Sequence, residues 1–109
     1  MRRKIKLSKR ASDRLEKLLE YLELEWSLKV KEDFINKLNK SLTRVQKFPE
    51  SCQQTDFVKG LHMLVVTKQT SIFYRYDSKN ITIVTLFDNR MNPDKLKNET
   101  TYTRFTTAK

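Results

Sequence analysis

The sequence predicts a small α+β domain: a short N-terminal strand, an αα-hairpin, then a three-stranded antiparallel meander and a short C-terminal tail. Three observations carry that prediction. Apolar residues recur at three- and four-residue steps from Lys9 to Lys47, the period of helices that bury one stripe. From Phe57 onward the composition turns to Val, Ile, Phe, Tyr and Thr, which suits a pleated, half-buried surface. Pro49 separates the two halves and cannot continue a helix.

Each element has its own reason. In Arg3 to Ser8, Lys4 and Lys6 alternate with Ile5 and Leu7, the period of a half-buried strand. Ser8 is suited to cap the first helix. From Lys9 to about Trp26 the stripe is Ala11, Leu15, Leu18, Leu19, Leu22 and Trp26, with Glu16, Glu20 and Glu23 on another face. From about Leu28 to Lys47 it is Val30, Phe34, Ile35, Leu38, Leu42 and Val45. The short break near Ser27 makes the pair an antiparallel hairpin, with Trp26 at the corner as a core or staple residue or, secondarily, an exposed partner anchor. Glu50 to Asp56 reads as a polar loop.

Strands are expected over Phe57 to Thr67, Ser71 to Tyr76 and Ile81 to Phe87, joined by links of three and four residues. Pairing across the second turn sets Tyr76 opposite Ile81 and Tyr74 opposite Ile83. Ile72, Tyr74, Tyr76, Ile81 and Ile83 then share one face, and Phe73, Arg75 and Val84 the other. Gly60, the only glycine, marks a bulge or a close backbone approach. Residues 1–97 form the domain. The Thr-rich tail, 98–109, has Tyr102 and Phe105 as its large anchors.

A chain of 109 residues has room for one core. The longest apolar runs, such as Met63 to Val66, are too short to span a membrane, and no apolar stretch follows the basic N-terminus. A soluble, cytoplasmic protein is expected. One Cys and one His cannot make a disulfide framework or an ordinary metal site, and one Gly cannot build a phosphate loop; no metal and no cofactor are expected. With 23 Lys and Arg against 13 Asp and Glu, the net charge is +10, which favours acidic partners. Six bases and no acid lie in the first ten residues. They suit either a solubilising edge strand or a footprint for phosphate or an acidic partner.

Few residues invite chemistry. His62 has the intrinsic pKa of a general acid or base, although one His within a strand is also a common structural residue. Arg90, in Phe87-Asp88-Asn89-Arg90, can bind a phosphate or carboxylate in bidentate fashion, or brace the strand exit together with Asp88. Arg75, between Tyr74 and Tyr76, can stack or pair on the sheet face, or cover apolar surface with its stem.

The order of elements, the stretch from Trp26 to Phe48-Pro49-Glu50, then Ile72-Phe73-Tyr74-Arg75 and Phe87-Asp88-Asn89-Arg90-Met91-Asn92-Pro93 together resemble the RelE/ParE superfamily of type II toxin–antitoxin toxins. The last motif is similar to a strand-end motif of ParE-like and plasmid-stabilisation proteins. The resemblance covers residues 3–97. It implies a bacterial growth inhibitor neutralised by a cognate antitoxin, which wraps the toxin and reaches operator DNA on the pair's behalf. RelE-like members cut mRNA on the ribosome; ParE-like members inhibit DNA gyrase. Of the basic cluster that RelE-like cleavage uses, only Arg90 matches; His62, Leu64 and Ser71 stand at the other positions. The ParE-like branch, acting on gyrase without a catalytic constellation, fits the residues better. A ribosome-dependent endoribonuclease using Arg90 and His62 is the alternative, and a small basic nucleic-acid-binding module a second. Under the leading reading, Trp26, Phe73, Arg75 and Arg90 are the partner-binding residues.

Overall fold

The computed structural model describes residues 2–90. The 98–109 tail, residues 91–97 of the expected domain and with them the Met91-Asn92-Pro93 end of the family-like motif lie outside the described residues. Among the described residues, four strands and two long helices run in the order β1 (Lys4–Leu7), α1 (Lys9–Glu25), α2 (Leu28–Lys47), β2 (His62–Val65), β3 (Thr70–Tyr76) and β4 (Asn80–Asp88), with one 3-10 turn at Pro49–Ser51. Both helices start on a serine. The Ser8 hydroxyl accepts from the Ala11 amide and that of Ser27 from the Val30 amide, so each satisfies one donor that the first turn leaves open.

The sheet order is β1-β4-β3-β2, with β1 parallel to β4 and the other pairs antiparallel. The meander has the expected register, Tyr76 opposite Ile81 and Tyr74 opposite Ile83. Beyond that point β4 carries one extra residue: Tyr74 pairs with Ile83 but Phe73 pairs with Thr85. This bulge resets the alternation. Leu86 and Asp88 are therefore buried while Thr85 and Phe87 are not.

β2 is shorter than the run from Phe57 to Thr67 suggests. Its first half is taken by a turn in which the Val58 amide donates to Thr55 Oγ1 and the Leu61 amide to the Val58 carbonyl. Gly60 sits there at φ +80°, and a Cβ on it would lie 3.2 Å from Arg75 Nη1. Here the close approach is to a side chain rather than to backbone, and the left-handed φ suits glycine.

The helices cover one face of the sheet. Ala11, Leu18 and Leu22 of α1 and Phe34, Leu38 and Val45 of α2 pack with Leu64, Ile72, Tyr74, Ile81, Ile83 and Leu86. Tyr74 is fully buried, and its hydroxyl donates to the Pro49 carbonyl at 2.7 Å; burial, with the Cys52 thiol beside it, pushes its pKa up. Trp26 departs from its expected place in the core. It is the C-cap of α1, with non-helical φ and ψ, and 56% exposed, so the helical period no longer sets the side it faces. No helix of the described residues is long and apolar enough to cross a membrane.

Candidate functional site

The two residues singled out for nuclease chemistry are not brought together. His62 opens β2 and faces the helices, with little exposure. Its Nδ1 lies 2.8 Å from the Cys52 carbonyl, and its ring stacks on Tyr74 and tilts against Tyr76, with centroids 5.4 and 5.2 Å apart. Arg90 lies just past β4. Its Nε and Nη2 donate to the Asp88 carboxylate at 3.1 and 2.8 Å, as does its own amide at 2.9 Å. That carboxylate is buried and also accepts from Thr70 Oγ1. Asp88 keeps the Arg90 guanidinium protonated even more firmly than usual, and the Arg90 carbonyl accepts from the Tyr21 hydroxyl of α1. Asp88 pairs with Thr70, and His62 with Tyr74, four residues further along β3. At strand rise this separates the two sites by about 13 Å.

The opposite face of the sheet is a different surface, and no helix among the described residues covers it. Residues paired in register share a face. Lys6 pairs with Thr82, and Thr82 with Arg75, so a cationic row crosses three strands, with Lys4 one step further on the edge strand β1. Arg75 is exposed, and its Nη1 donates to the Lys59 carbonyl at 3.1 Å.

Toward the other end the same face becomes apolar. Phe73 stands edge-on to Phe87 and to Phe57, with centroids 6.1 Å apart in both pairs. Phe57 is 67% exposed, and Met63 and Val65 of β2 are also exposed. The guanidinium of Arg14 closes the edge from α1. It lies 4.6 Å from the Phe87 centroid and donates to Thr85 Oγ1 and to the Leu86 carbonyl. Burial, with Arg10 nearby, pushes its pKa down.

The face therefore offers cations at one end and exposed aromatic and aliphatic surface at the other. Such a surface suits an extended segment that carries acids and apolar anchors. Of the expected partner residues, Phe73 and Arg75 lie on this face. Trp26 stands at the hairpin tip, and Arg90 is turned inward on Asp88. Lys6 belongs to the face because β1 pairs in parallel with β4, and only the Lys4/Lys6 alternation hinted at it. Phe57 and Phe87 were visible as strand residues but without a direction.

This order of elements around a mixed four-stranded sheet has relatives. A family model described as ParE toxin of type II toxin–antitoxin systems (parDE) matches residues 5–93. The chain belongs to this family. It is thus a type II toxin–antitoxin toxin of the ParE/RelE superfamily. Among solved structures, the chromosomal ParDE system of P. aeruginosa matches with a TM-score of 0.65 at 14% identity, over 79% of this chain and 95% of that one. The YoeB dimer of Staphylococcus aureus matches at 0.57 and 14%, over 80% and 97%. The toxin–antitoxin complex DinJ–YafQ of E. coli matches at 0.54 and 14%, over 83% and 96%. At these identities the likeness shows the ParE/RelE fold alone. No curated protein sequence matches.

Proposed function

We propose that this ParE-family protein inhibits growth by binding DNA gyrase, and that a cognate antitoxin neutralises it by laying an acidic, apolar segment on the uncovered sheet face. One observation carries the choice of gyrase over RNA cleavage: Arg90 is committed to Asp88 and His62 to Cys52, at positions about 13 Å apart along β3. Cleaving a phosphodiester needs groups that converge on one 2′-hydroxyl and one phosphate. Binding a protein needs no such convergence. The reading requires a cytoplasmic protein, and the cationic row of Lys6 and Arg75 beside Phe73 supports an acidic partner segment.

The test is to induce the protein alone in bacterial cells, then to assay purified protein in a gyrase supercoiling reaction beside a translating extract. Arrested growth, inhibited supercoiling and intact mRNA are expected. Site-specific mRNA breaks with supercoiling untouched would replace this reading by a ribosome-dependent endoribonuclease.

A further inference from the structure

The tip of the helical hairpin breaks two local rules at once. Leu24, Trp26 and Leu28 are 73%, 56% and 54% exposed, three large apolar side chains within five residues. A soluble surface usually scatters such residues singly. In the same place the charge reverses: residues 20–33 hold five acids against two lysines, a net of −3 in a chain of +10. Lys31 is paired with Glu23 at 2.8 Å and Lys29 lies 3.7 Å from Asp33, so each lysine has a carboxylate partner. Glu23 and Glu25 also occupy the last turn of α1, which has no basic residue. Carboxylates there oppose the helix dipole. Neither feature serves the stability of the hairpin. Together they describe an acidic rim around a tryptophan-centred knob, the composition of an interface anchor.

The sign of this surface separates it from the sheet face. An acidic segment that suits Lys6 and Arg75 is repelled by Glu20 and Glu25. We propose that the hairpin tip is the surface through which the protein engages its growth target, and that the target presents an apolar cleft rimmed by Lys and Arg. This rests on the reading that the protein inhibits growth by binding a protein. Trp26 fills the cleft, Leu24 and Leu28 flank it, and the acids steer the encounter. The antitoxin and the target then occupy different faces.

The test compares the full-length protein with Trp26→Ser and with the double variant Glu20→Lys/Glu25→Lys, by growth on induction and by binding to purified DNA gyrase at low and high salt. All three substitutions lie on exposed positions, so thermal unfolding stays near that of the parent protein and checks folding directly. Trp26→Ser is expected to abolish growth arrest and to weaken gyrase binding by about 30-fold or more. Glu20→Lys/Glu25→Lys is expected to slow association by about 10-fold at low salt and less at high salt. Full toxicity of Trp26→Ser with a normal melting curve overturns the proposal and leaves the growth-inhibitor reading standing. Toxicity lost in Trp26→Ser without gyrase binding by the parent protein keeps the tip and overturns gyrase as the target. A parent protein that leaves growth unaffected overturns both.

Discussion

Asp88 decides whether Arg90 is a strut or a free anion-binding group. Replacing Asp88 with Ala removes a carboxylate that is 2% exposed and accepts from Thr70 Oγ1 and from the amide, Nε and Nη2 of Arg90. The Thr70 hydroxyl is itself in a fully buried residue and loses its acceptor, which costs about 1–3 kcal/mol. The Arg90 side chain, 19% exposed, loses its counter-charge. Breaking one side of a buried pair costs about 3–5 kcal/mol. Arg90 lies beyond the strand end and can turn toward water, which places the total near the lower bound, about 3–4 kcal/mol.

Such a loss is a large share of the roughly 5–15 kcal/mol that holds a domain of this kind. It lowers the melting temperature by roughly 12–30 °C. Urea unfolding followed by far-UV circular dichroism measures it for Asp88→Ala, Arg90→Ala and the double variant. Each single variant is expected to be strongly destabilised, and the double variant by clearly less than the sum, because the two losses share one interaction. Arg90→Ala within about 0.5 kcal/mol of the parent protein would refute the reasoning, since the guanidinium would then be doing nothing for the strand exit.

Two further outcomes follow from the core and the turn. Tyr74→Phe leaves the Pro49 carbonyl without its buried donor and is expected to cost about 1–3 kcal/mol in the same unfolding measurement; a change below about 0.5 kcal/mol would mean that water or another donor replaces the hydroxyl. Asp77 sits in the β3–β4 turn, where the Lys79 and Asn80 amides donate to its Oδ1 and hold its pKa below the ordinary 3.8. A carboxylate depressed in the folded state stabilises above its unfolded pKa, and that stabilisation is lost as pH falls through the folded value. Asp77→Asn keeps the turn acceptor without the titration. Its stability deficit against the parent protein is expected to shrink as pH drops from 5 through the region below 3.8, and a deficit constant across that window would remove Asp77 from the acid limb.

The legible parts of the fold were those decided by neighbours in sequence. The apolar stripes of residues 9–47 place the helices because a 3.6-residue period leaves no other way to bury Leu18, Leu22, Phe34 and Leu38 together. The Asp77 to Asn80 link places Tyr76 against Ile81, since a short turn leaves few registers. Trp26 is exposed, against the core reading and in line with the anchor reading: the stripe tells which side a residue faces only while the helix lasts, and Trp26 is its cap. The strand expected from Phe57 was cut short by Thr55, whose hydroxyl offers the backbone a turn in place of a ladder. Of the candidate site, Phe73 and Arg75 were assigned together to one face, whereas the cationic row they join was not legible.

By itself, then, the sequence determined an α+β toxin fold of the ParE/RelE kind, the two helices and the Ser8 cap of the first, the meander with its pairing across the second turn, and a charge that favours acidic partners. The tertiary structure decided three things that no local pattern holds. The parallel pairing of β1 with β4 brings Lys6 into line with Arg75 across residues far apart in sequence. The extra residue in β4 turns Asp88 inward, so Arg90 meets a buried carboxylate instead of an open face. The corner where α1 passes into α2 leaves Leu24, Trp26 and Leu28 exposed to solvent. In each case the reason is the same: periodicity is a property of one element, while a face, an edge or a counter-ion exists only between elements.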